Sequence, residues 1–311
     1  MTTKAARTSM LERLGRWNLR RLGATSTTTP IADLDLHAYT FAPDPKATTT
    51  SPPLVLMHGV GSSATTFAKL IRRLRPHVGT IALPEAPAHG QSTVPEVPLS
   101  PDALFERIGA WLDLVADAPF VLYGNSLGGG AALRYAIERP DRVAALILLS
   151  PAGANAASDE LAALVKTFEF TEKADARRFV HRLFNKPRWY FGLASGELAR
   201  RFASPPLREF FARVGIDDLL DGDAVQSLAM PILFMWGGAE KLLPAAHLDW
   251  FKHHLPSQTE IVEPPHFAHS AYVEHADEVA DLIVAFLDRH GLLSPRSEPG
   301  EPATEPPTSA D

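Results

Sequence analysis

The chain has 311 residues, of which 45% are hydrophobic and 21% are charged, as in an ordinary globular protein. Its formal net charge is -6, from 30 basic and 36 acidic residues, so it lacks the basic excess typical of nucleic-acid-binding surfaces. It contains no cysteine, which excludes disulfides, thiolate catalysis and cysteine-ligated zinc. No apolar run reaches the roughly 18 residues that span a bilayer, and the first residues lack the apolar core of a secretory signal. We therefore predict a cytoplasmic protein that does not bind nucleic acid.

Residues 1–30 are predicted to be an appendage made of a helix and a linker. The segment "SMLERLGRWNLRRL" places Met10, Leu14 and Trp17 on one helical stripe, with its arginines largely elsewhere. A basic amphipathic helix of this kind contacts a membrane surface or a partner, whereas a leader helix packs on its own domain. We favour packing and keep membrane contact through this helix as the alternative. The "GATSTTTP" that follows is typical of a linker.

From residue 31 to residue 291, apolar strands alternate with amphipathic helices. The runs in "PLVLMHG", "RVAALILLSPAG" and "PILFMWGG" are typical of strands buried on both faces of a sheet. Alternation at this spacing predicts an α/β fold, with a mostly parallel twisted sheet and helices on both faces. Residues 292–311 are rich in proline, acidic and nearly devoid of large apolar groups, so we predict a disordered tail.

The alternation is interrupted between residues 154 and 228. This segment is helical in pattern and too long for a plain loop between two strands. We predict an inserted helical cap here, with the α/β core in residues 31–153 and 229–291. An aromatic cap indicates an apolar acyl chain or ring as the substrate, held in a dry pocket. The segment holds half of the chain's phenylalanines, namely Phe168, Phe170, Phe179, Phe184, Phe191, Phe202, Phe210 and Phe211.

Ser126 stands in the glycine-rich stretch "YGNSLGGG", which fits the pattern G-x-S-x-G. A buried strand ends just before it and a glycine-led helix begins just after it. A sharp strand-to-helix turn crowds the backbone and requires small neighbours such as Gly124 and Gly128. The same turn exposes the serine oxygen at the N-terminus of the helix. We predict that Ser126 is a catalytic nucleophile.

A nucleophilic serine needs hydrogen-bond donors for the negative charge that develops on the attacked carbonyl oxygen. The backbone N–H of Leu127, directly after the serine, is one predicted donor. The segment "LVLMHGVGSS" supplies a strand and a loop, and the N–H of Val60 in that loop is the second predicted donor. His58 in the same loop is expected to brace it by hydrogen bonds rather than to act as a base.

Taken together, the motifs resemble the α/β-hydrolase superfamily, in its serine-nucleophile subgroup with an inserted helical cap. The resemblance covers about residues 31–290. The motifs that carry it are "HGVGSS", "APAHGQS", "GNSLGGGAALRYAIERPDRVAALILLSPAG", "PILFMWGGAE" and "HSAYVEHADEV". Their combination is far more specific than the serine motif alone.

The resemblance implies a catalytic triad in the chain order serine, acid, histidine. The acid follows the strand after the cap, usually as aspartate in W-G-x-x-D, and "WGGAE" puts Glu240 at that position. Weaker candidates are the acidic residues at the end of the cap, namely Asp217, Asp218, Asp221 and Asp223.

The histidine is selected from "PPHFAHSAYVEHADEV". In the family the catalytic histidine commonly precedes a glutamate by five residues, and Glu274 therefore selects His269. His266 is the alternative, and His275 falls inside the predicted last helix. His269 would act as the base, and Glu240 would hold its imidazole in the correct tautomer.

A serine at this position argues against dehalogenases and epoxide hydrolases of this fold, which use aspartate. We predict a carboxylic ester or thioester hydrolase that acts through an acyl-enzyme on a small to medium apolar substrate, with no cofactor and no metal. One alternative is hydrolytic C–C cleavage of ring-fission products, although Ser270 stands where those enzymes often carry tryptophan. Another is an inactive binding protein on the same fold. The natural substrate and the oligomeric state are left open.

Overall fold

The apolar runs of the sequence form the centre of one mixed sheet. The computed structural model describes residues 9–97, 99–170, 172–187 and 195–296. Among these residues the sheet has eight strands, which are β1 (Thr25–Ile31), β2 (Leu34–Phe41), β4 (Leu54–Met57), β5 (Ile81–Pro84), β6 (Phe120–Ser126), β7 (Val143–Pro151), β8 (Ile232–Met235) and β9 (Glu260–Val262). A separate pair is formed by β3 (Thr49–Thr50) and β10 (Ser294–Pro295).

The strand order is β1-β2-β5-β4-β6-β7-β8-β9. Pairs from β5 through β4 to β9 are parallel, whereas β1 and β2 add an antiparallel edge. The strands β4, β6 and β8 are buried along their whole length, as expected for strands covered on both faces. The predicted mostly parallel α/β sheet is confirmed.

Helices cover both faces of this sheet. The helices of the described residues are α1 (Met10–Arg21), α2 (Ala68–Leu74), α3 (Pro101–Leu112), α4 (Leu127–Glu138), α5 (Ser158–Lys166), α6 (Lys173–Leu183), α7 (Ser195–Phe202), α8 (Pro205–Arg213), α9 (Gly222–Gln226), α10 (Ala245–His254), α11 (Ala271–Glu274) and α12 (Ala276–Arg289). One face buries apolar side chains of α3, α4 and α10, and the other buries those of α1, α2 and α12. Each fully buried leucine, isoleucine or phenylalanine contributes about 1.5–3 kcal/mol to this packing. No described helix is both long and apolar enough to cross a bilayer.

Helix α1 packs on the domain, but not through its predicted apolar stripe. Its N-cap is Ser9, whose side chain accepts a hydrogen bond from the N–H of Glu12. The face turned to the domain buries Leu19 and Glu12. The stripe residues lie on the opposite face, and Met10, Leu14 and Trp17 are 87%, 57% and 53% exposed.

Residues 25–30, predicted to belong to a linker, form most of the edge strand β1 (Thr25–Ile31) instead, so the linker prediction is corrected for them. The strand pairs antiparallel with β2 across a tight turn at Ala32, whose φ is +52°. Its run of threonines explains the difference, because β-branched residues fit an edge strand that is exposed on one face. At the other end of the chain, the predicted disordered tail is corrected for residues 292–296, because Ser294 and Pro295 pair with β3 and Arg296 donates its N–H to the carbonyl of Thr48. Residues 297–311 lie outside the described residues.

Helices α5 to α9 lie between β7 and β8, where the cap was predicted. Their phenylalanines pack together, and the rings of Phe168 and Phe211 stack with their centroids 4.5 Å apart. Phe202 is fully buried in the same cluster, beside Phe168, Phe170 and Phe179. Phe191 lies outside the described residues.

Candidate active site

Ser126 ends β6 and directly precedes α4, with a φ of +56°. This left-handed conformation is costly for a residue with a Cβ, and it marks the sharp turn that the sequence predicts. The turn is held on both sides. The carbonyl of Ser126 accepts the N–H of Ala152 at 2.9 Å, and the side-chain amide of Asn125 donates to the carbonyls of Leu149 and His269, each at 2.9 Å.

The glycines around the serine are required by close backbone contacts. A Cβ at Gly128 would lie 2.6 Å from the carbonyl oxygens of Met57 and His58. A Cβ at Gly124 would lie 2.3 Å from the carbonyl oxygen of Gly128. Real Cβ atoms do not approach backbone this closely, so the turn admits no larger residue at either position.

His269 and Glu240 form a buried pair. The Nδ1 atom of His269 lies 2.9 Å from an Oε2 oxygen of Glu240, and both side chains are at most 4% exposed. The other carboxylate oxygen of Glu240 accepts the N–H groups of Leu242 at 2.7 Å and Leu243 at 3.2 Å. Burial by itself raises the pKa of the Glu240 carboxyl, but the imidazole of His269 and the N–H of Leu242 outweigh it and hold that pKa below its usual range. The carboxylate is therefore charged at neutral pH and fixes the histidine ring.

The alternative residues lie elsewhere. The imidazole of His266 is 42% exposed, and its Nε2 atom lies 2.7 Å from a carboxylate oxygen of Glu278. Asp218 accepts the N–H of Gly215 and Asp221 accepts the N–H of Ala224, so both carboxylates cap helical turns. In the structure His269 thus contacts Glu240, and neither residue pairs with one of these alternatives.

The loop that carries Val60 is braced by two neutral histidines. His58 donates from Nδ1 to the carbonyl of Gly59 at 2.9 Å and accepts the N–H of Ala86 at Nε2, so its expected bracing role is confirmed. His89 accepts the N–H of Gly61 at 2.9 Å and donates to the carbonyl of Pro87. Burial lowers the pKa of His58 and lowers that of His89 well below its usual range, so both rings stay neutral.

Two cavities lined by described residues meet at Ser126. The larger, of about 280 Å³, is also lined by Val60, His269, cap residues such as Phe179, and Leu11 of α1. The smaller, of about 110 Å³, is lined mainly by apolar side chains from the cap and the core. Val60 and Ser126 line both cavities, and Leu127 lines the smaller one. A substrate carbonyl at Ser126 would therefore have space on two sides.

A family model described as "alpha/beta hydrolase fold" matches residues 52–276, which is more than half of the chain. The chain belongs to the α/β-hydrolase family. The resemblance inferred from its motifs is confirmed.

Curated relatives of this chain include one acetyltransferase component and two lipases. It is 28% identical over 252 residues to the dihydrolipoyllysine-residue acetyltransferase component of the acetoin cleaving system from Pseudomonas putida. That match covers 76% of this chain but only 64% of the relative, so the chain spans less than two thirds of that protein. It is 27% identical over 262 residues to the mouse sn-1-specific diacylglycerol lipase ABHD11, covering 76% of this chain and 81% of the relative.

Solved structures share the same fold. A putative lipase from Acinetobacter baumannii superposes with a TM-score of 0.75 at 19% identity, over 93% of this chain and 99% of that one. The 2-hydroxy-6-oxo-6-phenylhexa-2,4-dienoate hydrolase from Rhodococcus superposes with a TM-score of 0.72 at 21% identity, over 85% of this chain and 99% of that one. At such identities the similarity establishes the fold of the hydrolase.

A second carboxylate, Glu85, supports the site, and no sequence motif indicated it. It directly follows β5 and is fully buried. One oxygen accepts the N–H of Gln91 at 2.8 Å and lies 3.0 Å from Nδ1 of His37, and the other accepts the N–H of Ala64. Glu85 therefore ties the turn "APAHGQS" to the segment after the Val60 loop. Burial raises the pKa of its carboxyl, but the hydrogen bonds from His37 and Gln91 outweigh that effect and lower the pKa overall.

Replacing Glu85 with glutamine is expected to lower the free energy of unfolding by about 2 kcal/mol at pH 7. Because the folded-state pKa of Glu85 is depressed, its ionised form stabilises the fold above the ordinary value of 4.5. That stabilisation is lost as the pH falls through the folded-state pKa. The difference in the free energy of unfolding between wild type and Glu85→Gln should therefore become smaller below about pH 4.5. Urea unfolding at several pH values would measure it. Glu106→Gln, on the exposed face of α3, is the control and should change little. A difference that stays constant with pH would contradict the prediction.

Among the described residues, His266, His275 and Glu278 form a group whose ligand atoms lie within 4.8 Å of one another. The spacing of these residues in the sequence predicts no metal site. Of these three side chains, none lines either cavity at Ser126. We assign no metal to this group.

Proposed function

We propose that this chain is a serine hydrolase that cleaves carboxylic esters or thioesters of small to medium apolar substrates. The observation that carries the proposal is the buried His269–Glu240 pair, whose imidazole lines the same cavity as a serine held at a left-handed turn. In this proposal Ser126 is the nucleophile, His269 the base and Glu240 the group that orients the imidazole. The N–H groups of Val60 and Leu127 are the proposed oxyanion donors.

The proposed reaction has two halves. The Oγ atom of Ser126 attacks the carbonyl carbon while His269 takes its proton, and the carbonyl oxygen becomes an oxyanion facing the two N–H donors. The tetrahedral intermediate collapses, the alcohol or thiol leaves with the proton from His269, and the acyl group stays on Ser126. Water then attacks the acyl-enzyme, again giving its proton to His269, and the acid and the free serine are released. Glu240 stays ionised throughout and stabilises the imidazolium.

The two cavities support an uncharged, two-sided substrate. Most of the lining surface of both cavities is apolar, and Phe168, Phe210 and Phe211 line the smaller one. Arg201 lines the larger cavity and Arg134 the smaller one, and both already have anionic partners. Arg201 pairs with Glu197 at 3.0 Å. Arg134 forms ion pairs with Asp102 and Glu138.

These pairings favour an ester over the carboxylate-bearing ring-fission products of the C–C hydrolase alternative. Relatives in the family that are named lipases and an esterase support the same choice.

The proposal is tested with p-nitrophenyl esters whose acyl chains run from two to about sixteen carbons, with a fluorophosphonate probe as the second assay. We expect turnover, a chain-length optimum that reports the size of the occupied cavity, and fluorophosphonate attached to the peptide that contains Ser126. A ring-fission dienoate serves as the competing substrate. Faster turnover of the dienoate than of every ester would replace the ester proposal by C–C cleavage. No labelling and no turnover of either class would leave the inactive binding protein.

A further inference from the structure

The outward face of α1 is an apolar surface on the exterior of the domain. Its members are Met10, Leu14 and Trp17, all more than half exposed, at the helical spacing that places them side by side. The opposite face buries the charged side chain of Glu12. The helix is therefore anchored by Leu19 and Glu12 and leaves its apolar stripe in solvent, whereas an ordinary surface helix buries its apolar stripe. Clustered exposed apolar side chains of this kind mark interaction sites.

Arginines flank this face. Arg13, Arg20 and Arg21 are exposed, and none of the three forms an ion pair with another described residue. The guanidinium of Arg21 lies over the ring of Trp17, 4.7 Å from its centroid. The chain as a whole carries a net charge of -6, so this basic strip is a local feature rather than a consequence of composition.

The inner face holds the helix against the loop that carries Val60 and the residues that follow it. Leu19 is fully buried, and Glu12 accepts a hydrogen bond from the hydroxyl of Ser63 at 3.1 Å. Arg16 pairs with Glu12 and donates to the carbonyl of Gly90. Leu11 and Glu12 also line the larger cavity beside Ser126. The larger cavity therefore lies beside α1, and a surface that contacts the outer face of the helix is one helix diameter, about 10 Å, from it.

We propose that the outward face of α1 docks on an anionic lipid surface and so holds the larger cavity close to that surface. The apolar side chains enter the interface between headgroups and acyl chains, while the arginines contact anionic headgroups. Lipid esters in that surface are then the substrates closest to Ser126. This last step rests on the proposed ester hydrolysis, whereas the docking itself does not.

The chemistry of the face favours lipid over two other occupants. A symmetric contact with a second copy of the helix would bring the same arginines together, which charge repulsion opposes. The acidic segment after residue 296 is complementary in charge but holds no large apolar side chain to cover Leu14 and Trp17. An anionic bilayer offers both negative charge and an apolar interior.

Vesicle flotation of the full chain tests the docking. Wild type is expected to float with phosphatidylglycerol–phosphatidylcholine vesicles and to float much less with pure phosphatidylcholine. The double variant Leu14→Glu/Trp17→Glu is expected to lose at least about tenfold in the partition coefficient. Leu114→Glu makes the same chemical change at a leucine that is 65% exposed in the turn after α3, and it should float like wild type. Flotation of the double variant equal to that of wild type would overturn the proposal.

A charge series provides the second measurement. Arg20→Gln/Arg21→Gln is expected to weaken binding to the anionic vesicles by roughly fivefold per arginine, and added salt should shrink this difference. Analytical ultracentrifugation without lipid addresses the second copy. A dimer of wild type that the double variant loses, without flotation of wild type, would assign the face to self-association and overturn lipid docking.

Turnover of a soluble butyrate ester separates this inference from the proposed function. The α1 variants should retain it within about twofold, since the three stripe residues line neither cavity, and this turnover also shows that they are folded. If wild type hydrolyses the soluble ester and does not float, docking is wrong and ester hydrolysis stands. If it floats and hydrolyses no ester, docking stands alone.

Discussion

Replacing Ser126 with alanine is expected to lower kcat/KM for a p-nitrophenyl ester by about 10⁴-fold or more. The substitution removes the oxygen that carries the acyl group, and with it the covalent pathway. What remains is the background catalysis of the oxyanion donors and the binding of the substrate. Alanine has a Cβ like serine and meets the same cost at a φ of +56°, so the variant should fold. The measurement is steady-state hydrolysis beside wild type, with thermal unfolding as the check on folding.

Ser270→Ala is the matched control. This serine is buried, lines the same cavity and directly follows His269, but it has no proposed chemical step. We expect it to keep activity within about fivefold of wild type, since most substitutions outside the reacting groups change binding only modestly. A folded Ser126→Ala variant that keeps wild-type activity would show that the ester is cleaved elsewhere. Equal large losses in both variants would point to a packing effect in the cavity rather than to a nucleophile.

Those parts of the site that depend on short stretches of sequence could be predicted. The strand, the glycines and Ser126 are consecutive, so one turn geometry constrains them together. Glu240 and His269 were found by chain order within a family resemblance, and the structure then places them 2.9 Å apart. Their contact depends on the sheet, because the two residues follow the neighbouring strands β8 and β9.

The supporting contacts could not be predicted, because their partners are distant in the chain. Glu12 reaches Ser63 across 51 residues, and Glu85 reaches His37 across 48. No local pattern distinguishes either carboxylate from a solvated one.

The sequence also could not predict which face of α1 packs on the domain. Its period locates the apolar stripe, but only the packing of Leu19 and Glu12 decides that the stripe faces outward.

Replacing Glu240 with glutamine is expected to lower kcat for ester hydrolysis by about 10³–10⁴-fold with little effect on folding. The geometry gives a specific reason. One carboxylate oxygen accepts the N–H groups of Leu242 and Leu243, and the other faces Nδ1 of His269. In glutamine the carbonyl oxygen stays with the two N–H groups, so the amide NH₂ faces Nδ1. The imidazole must then carry its proton on Nε2, the nitrogen proposed to take the proton of Ser126.

Glu278→Gln is the control, because Glu278 pairs with His266 at 2.7 Å as Glu240 pairs with His269, but with both groups partly exposed. It should keep activity within about twofold of wild type. A second measurement separates orientation from packing: Glu240→Asp restores the charge on a shorter side chain and should recover at least about tenfold over glutamine. If Glu278→Gln lost activity and Glu240→Gln kept it, the base would be His266 and the assignment of His269 would be wrong. If both variants kept activity, neither carboxylate would orient the base, and the buried His269–Glu240 pair would be structural. A charge that holds the required tautomer cannot be removed without slowing proton transfer.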